Sequence, residues 1–127
     1  PVLDTPFDSG AFLLPTVIDG LTPNSRCATE EIFGPVVTLH GFSSDEEVIR
    51  YANTSDYGLA GSVWTSDLDR GKVVSEAIET GMVWVNCWLH RDLRVPFGGT
   101  KNSGVGREGG QRSLAFYSEA MNICVKR

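Results

Sequence analysis

Three short apolar runs, residues 36–42, 61–65 and 82–86, alternate with two segments of helical periodicity, and this alternation limits the fold more than any other feature of the chain. The first helical segment opens on Ser44 with Glu47 three residues on, the form of a capping box. Asp45, Glu46 and Glu47 set negative charge against the positive end of a helix dipole. Val48, Ile49 and Ala52 make its apolar stripe, Glu46 and Arg50 are spaced as an i,i+4 pair, and Gly58 ends it. Ser66 or Asp67 caps the second segment, which runs to about Glu79 with Leu68, Val73, Val74, Ala77 and Ile78 on its apolar side. Gly81 stands as its C′ residue. A β-α-β-α-β order with short connections predicts an α/β fold of parallel strands joined by right-handed crossovers. The unbroken apolar run at 82–86 suits a strand buried on both faces.

The flanks are less regular. Residues 1–12 read as loop, with Pro1, Pro6 and Gly10; they have neither the basic nor the apolar region of a signal peptide and read as the middle of a protein. Residues 12–19 form an extended run that Pro15 interrupts, which predicts an edge strand or two short pieces. A turn follows at 20–25 and a helical turn over 26–32, which Gly34 before Pro35 stops. After the third strand comes a long loop, 87–110, of a length that is usually functional or disordered. A short helix at 111–118 and a last strand at 121–126 complete the chain. That strand has no hairpin neighbour, so it is expected to pair at a distance, with another subunit as one option.

At 127 residues the chain is one domain's worth, and its net charge of -5 is a poor match to nucleic acid, which calls for a basic face. No apolar run approaches the roughly 18 residues of a membrane span. Cys27, Cys87 and Cys124 are odd in number and far apart, with no C-x-x-C. They predict neither a disulfide framework nor a zinc site, and favour a reducing, cytoplasmic setting. His40 and His90 have no carboxylate cluster beside them, so no metal site is predicted.

The loop ends in a literal G-x-G-x-x-G, Gly104, Gly106 and Gly109. A dinucleotide loop needs a strand directly before it, a helix directly after, and an acid about 20 residues on. Here residues 100–103 are not a strand, and Glu119 lies too near. The glycines instead predict a backbone that turns repeatedly and approaches other chain closely. Cys87 and His90 allow a nucleophile and its base, although a small apolar residue at a strand end is the plainer reading. Glu30 and Glu31 end a helical turn, where a carboxylate is able to take sugar hydroxyls. Arg91 and Arg94 flank Asp92 where the chain leaves the carboxyl end of a parallel strand, the end at which open sheets place ligands. Either arginine suits a carboxylate ligand, and either suits a plain surface pair with Asp92.

Four blocks carry a family. Residues 30–36, EEIFGPV, residues 57–60, YGLA, residues 81–86, GMVWVN, and residues 96–108, PFGGTKNSGVGRE, in this order and spacing, closely resemble the aldehyde dehydrogenase superfamily. The resemblance covers essentially the whole chain and the C-terminal quarter or so of such an enzyme. The variant NCWLHRDLRVPF over 86–97 is most similar to the 2-aminomuconic and 2-hydroxymuconic semialdehyde dehydrogenases. In that family a Cys thiolate attacks the aldehyde, hydride passes to NAD(P)⁺ and a Glu-activated water hydrolyses the thioester. The resemblance implies NAD as cofactor and a semialdehyde as substrate. It places Glu31 at the nicotinamide-ribose hydroxyls, Phe33 and Leu59 beside the nicotinamide, and Phe97 along the substrate tunnel. Arg91 matches the arginine that takes the substrate carboxylate, with Arg94 a weaker second candidate. It also implies a partial catalytic domain over 1–118 and an oligomerisation strand over 119–127, hence a homodimer or homotetramer. None of the three cysteines stands in the family's nucleophile context, so no catalytic residue is expected within the chain. Another aldehyde substrate, and a stand-alone binding or assembly module, remain as alternative readings.

Overall fold

A computed structural model describes Gly10 and residues 12–127. Most of the loop expected over 1–12 therefore lies outside the described residues. The chain forms two compact units, Pro1–Ser55 and Asp56–Arg127.

In the first unit, β1 (Thr16–Ile18) and β2 (Val36–Thr38) pair in parallel with Val17 opposite Val37, and α1 (Arg26–Thr29) lies between them in the chain. Pro15 immediately precedes the first strand residue, so its missing N–H removes no bond from the ladder. Helix α2 (Asp45–Asn53) starts as predicted: the Ser44 hydroxyl accepts from the Glu47 amide at 3.2 Å. The return arm of the box lands one residue early, on the Ser43 amide at 2.7 Å. Arg50 approaches Glu47 at 4.0 Å rather than Glu46.

In the second unit, β3 (Tyr57–Gly58) pairs antiparallel with β6 (Thr100–Lys101), and β4 (Ala60–Val63) pairs in parallel with β5 (Met82–Val85). Helix α3 (Leu68–Ala77) makes the crossover between β4 and β5, with Asp67 capping the Arg70 amide at 3.0 Å. A short α4 (Gly110–Phe116) follows the loop. Val74 on α3 and Trp84 on β5 are the buried apolar residues among those described. The helix lies close at Gly71, where a Cβ would stand 2.9 Å from Thr65 Cγ2 and 3.1 Å from Val85 Cγ1.

Mixed α/β architecture with parallel strands is present, but the pairing differs from the simple β-α-β-α-β ladder. Instead of one ladder there are two parallel pairs, β1–β2 and β4–β5, plus the small antiparallel pair. The run at 82–86 is buried only at Trp84, since within the unit α3 is the helix that packs on this strand pair. Gly58 does not end a helix; α2 stops at Asn53, and Gly58 sits in β3, where the Thr100 hydroxyl and the Glu79 carbonyl leave no space for a Cβ. Gly81 is not a C′ residue either, because α3 ends at Ala77 and Ile78 is already extended. A Cβ on Gly81 would instead collide with the Gly98 carbonyl. The strand expected at 121–126 joins no sheet among the described residues, and alternate residues Met121, Ile123 and Val125 are exposed. A strand needs a partner edge, and this segment pairs with none among the described residues. No helix among the described residues is long and apolar enough to cross a membrane.

Candidate functional site

The long loop of the second unit, which holds Arg91, Arg94 and Phe97, is anchored at its start. Asn86 takes a left-handed backbone, φ +53, which its short polar side chain tolerates. That side chain accepts from the Thr65 amide at 2.8 Å and donates to the Thr65 carbonyl at 2.7 Å, so it prolongs the β4–β5 ladder while the backbone turns away. The buried Trp84 indole donates to the His90 carbonyl at 2.8 Å and meets the Trp88 ring edge-on at 5.0 Å. The turn that presents Arg91 is thereby tied to the core.

The two arginines beyond it differ. Arg94 is engaged with Asp92: its Nε donates to both carboxylate oxygens, at 2.9 and 3.0 Å, and its amide donates to Oδ1 at 2.9 Å. These bonds hold the Asp92 carboxyl below its ordinary pKa and raise that of Arg94. Arg91 makes a single contact with Glu108, Nη2 to Oε1 at 3.4 Å, and its guanidinium lies 4.1 Å from the centre of the Phe97 ring. That stacking is a cation–π geometry.

Phe97 and Glu108 exchange two backbone hydrogen bonds of 2.8 Å, closing the loop on itself. The Arg107 guanidinium donates to the Gly99 and Gly106 carbonyls at 2.7 Å each. Gly109 has φ +99, and a Cβ there would strike the Val95 carbonyl. Of the glycine pattern, Gly109 thus serves a backbone packed against itself, whereas Gly106, with φ +78 and nothing within 4 Å of an added Cβ, serves a turn. Phe97 is the common wall of two clefts. One of ≈ 400 Å³ is lined by Leu59, Phe97, Val105, Phe116 and Tyr117 among others; the other, of ≈ 220 Å³, is lined by Trp84, Arg91, Pro96 and Phe97 among others. Of the residues expected at the site, Arg91 thus stacks on the Phe97 ring, and Leu59 lines the other cleft that Phe97 walls.

In the first unit a cleft of ≈ 420 Å³ is lined by Glu31 and Phe33. Glu30 is taken by Arg26, whose Nε and Nη2 donate to its two oxygens at 2.8 Å each, which lowers the Glu30 pKa. Glu31 has no hydrogen-bond or ion-pair partner among the described residues. Phe33 is 93% exposed and has φ +53, a strained conformation for an aromatic residue with no packing to reward it among the described residues. His40 Nε2 lies 3.2 Å from the Thr38 hydroxyl.

Cys27, Cys87 and Cys124 are free thiols, and no hydrogen bond joins Cys87 to His90. Among the described residues no group of His, Cys, Asp and Glu is placed to hold a metal ion. Reasoning from the sequence assigned no role to Arg107 or Glu108. Both act over a distance, and their only sequence signal is membership of the block at 96–108.

The sequence pattern of the "Aldehyde dehydrogenase family" matches residues 2–123. The chain belongs to the aldehyde dehydrogenase family. Among curated members it is 54% identical over 119 residues to a 2-aminomuconic 6-semialdehyde dehydrogenase of Pseudomonas sp, covering 94% of this chain and 24% of that protein. It is 50% identical over 126 residues to a 2-hydroxymuconic semialdehyde dehydrogenase of Pseudomonas putida, covering 99% of this chain and 26% of that protein. The chain therefore spans about a quarter of the length of these aldehyde dehydrogenases. Solved structures agree on the fold. A betaine aldehyde dehydrogenase from Staphylococcus aureus in complex with NAD+ matches with a TM-score of 0.80 and 42% identity, over 84% of this chain and 21% of that one. An indole-3-acetaldehyde dehydrogenase complexed with NAD+ matches with a TM-score of 0.81 and 42% identity, over 87% and 22%.

Proposed function

We propose that this chain is the C-terminal part of an NAD-dependent semialdehyde dehydrogenase that oxidises an aldehyde carrying a carboxylate to the corresponding acid. The muconic semialdehyde dehydrogenases among its relatives support 2-aminomuconic or 2-hydroxymuconic 6-semialdehyde as the substrate. Arg91 carries this reading. Its single long contact with Glu108 leaves most of the guanidinium donors open, beside a cleft walled by Phe97, whereas Arg94 is already matched by Asp92. An open guanidinium takes a carboxylate through two parallel N–H···O bonds, and the Phe97 ring beneath it limits the orientations it explores.

The residues of the first unit suit NAD. Glu31, with no partner among the described residues and lining a cleft, has the acceptors for two ribose hydroxyls, and the exposed Phe33 ring offers a flat face to the nicotinamide. In the second unit, Leu59 is assigned to cofactor binding. NAD supplies the hydride acceptor when bound. This chain's contribution is to bind and orient: Glu31 and Phe33 toward the cofactor, Arg91 and Phe97 toward the substrate. The nucleophilic thiol is assigned to a residue outside this chain. The alternating exposed Met121, Ile123 and Val125 support residues 119–127 as a strand that extends a neighbouring subunit's sheet in a homodimer or homotetramer. Free thiols at Cys27 and Cys124 suit a cytoplasmic setting.

The test uses the full-length enzyme with 6-oxohexanoate and hexanal, which differ by the carboxylate. A hydrogen bond to a charged group contributes roughly 1.5–3 kcal/mol, so Arg91→Ala is expected to lower kcat/KM for 6-oxohexanoate about ten- to a hundredfold relative to hexanal. Equal losses on both substrates would remove the carboxylate assignment.

A further inference from the structure

Glu108 is the residue whose placement goes furthest beyond the function just described. Its backbone is fixed opposite Phe97 by two hydrogen bonds of 2.8 Å, so only its side chain is free to swing. That side chain reaches the same guanidinium that stacks on Phe97, at 3.4 Å and through one oxygen and one nitrogen. A charge-assisted N–H···O bond settles near 2.7–2.9 Å, and a matched carboxylate takes two of the donors, as the Arg94–Asp92 pair does next door. The contact with Glu108 is thus long and one-sided, and its carboxylate is largely exposed. Glu108 marks where a carboxylate meets Arg91 without matching it, and it is the only acid that pairs with Arg91 among the described residues.

We propose that Glu108 is the resident counter-ion of Arg91, which a substrate carboxylate displaces, so that Glu108 sets how much of the arginine's preference for carboxylated aldehydes is realised. This rests on the reading of Arg91 as the substrate-carboxylate residue. Before the substrate arrives, Glu108 balances the guanidinium charge over the Phe97 ring. A carboxylate taking two donors must first break the pair with Glu108, and breaking an exposed pair of this kind lowers the apparent affinity up to about fivefold. The pair with Glu108 thus costs affinity for carboxylated aldehydes alone and tempers the arginine's preference for them over neutral ones. It also differs from a purely positioning role, in which removing the Glu108 charge would let Arg91 wander and weaken carboxylate binding. The two roles predict changes of opposite sign.

The readout is the ratio of kcat/KM for 6-oxohexanoate to that for hexanal in the full-length enzyme, which cancels any uniform effect on turnover. Glu108→Gln keeps the length of the side chain and removes its charge, and is expected to raise the ratio about two- to fivefold. Glu108→Asp, one methylene shorter on the same fixed backbone, is expected to move the ratio in the same direction and serves if the amide variant does not fold. In an Arg91→Ala background, Glu108→Gln is expected to leave the ratio where Arg91→Ala alone puts it. A ratio that is unchanged or lower in Glu108→Gln, with Arg91→Ala still abolishing the preference, would overturn the counter-ion while leaving Arg91 in its role. A rise that persists in the Arg91→Ala background would overturn it too, since Glu108 would then act without Arg91. If Arg91→Ala itself leaves the ratio intact, the reading of Arg91 fails first.

Discussion

Trp84→Phe is the substitution that most directly links the core to the site. Trp84 is 7% exposed, and its indole N–H reaches the His90 carbonyl at 2.8 Å, one residue before Arg91. Phenylalanine keeps an aromatic ring against Trp88 but has no donor. The lost hydrogen bond is worth about 1 kcal/mol net, and the space left by the smaller ring costs about 1 kcal/mol more, so global stability should fall by about 2 kcal/mol. The local effect is separable. Val95 donates to Asp92 at 3.1 Å and Phe97 to Glu108 at 2.8 Å, and both amides lie in the loop that the indole tethers. Losing about 1 kcal/mol of tether should speed amide exchange in the peptide spanning 88–97 about fivefold under native conditions. A peptide from α3, where Gly71 donates to Asp67 at 2.9 Å, should change far less. Native-state hydrogen exchange read by mass spectrometry on the full-length enzyme measures both. If the 88–97 peptide keeps its protection while the denaturation midpoint drops, the indole supports the core alone and does not hold the loop.

Other outcomes follow from the same geometry. Gly81→Ala drives a methyl into the Gly98 carbonyl, and neither backbone is free to yield, since the Gly81 amide also donates to Gly58 at 3.0 Å; a loss of about 3 kcal/mol or more is expected in denaturant unfolding. Gly41→Ala, with nothing within 4 Å of the added methyl, should change stability by less than about 0.5 kcal/mol. The Asp92 carboxyl should titrate below the ordinary aspartate value of 3.8, and Arg94→Ala should return it upward, followed by carbon NMR of the carboxyl group. Because the folded pKa is depressed, this pair supports the fold above pH 3.8 and loses that support as pH falls through the depressed value.

Much of the fold was legible along the chain, because the forces that start and stop helices act within a few residues. Ser44 and Asp67 cap where their side chains and the following periodicity said they would, and the strands at 60–63 and 82–85 lie within or one residue from the runs read as strands. The G-x-G-x-x-G could be set aside as a dinucleotide loop from its flanks alone, and the ordered blocks from 30 to 108 pointed to the family that the full comparison established.

What the sequence by itself determined, then, is the set of local elements and the family. What only the tertiary structure decided is which partners those elements meet. Gly58 and Gly81 looked like helix ends and proved to be points where another stretch of backbone comes too close for a side chain, at the Glu79 carbonyl and the Gly98 carbonyl. Arg91 and Arg94 look equivalent on either side of Asp92, yet one is forked by its neighbour and the other stacks on Phe97 and reaches Glu108, 17 residues away. The bond from the Gly58 amide to the Ser103 hydroxyl spans 45 residues. No local propensity encodes such pairings: they depend on how the chain closes in space, and a side chain's charge or size does not reveal which distant carbonyl or carboxylate it will face.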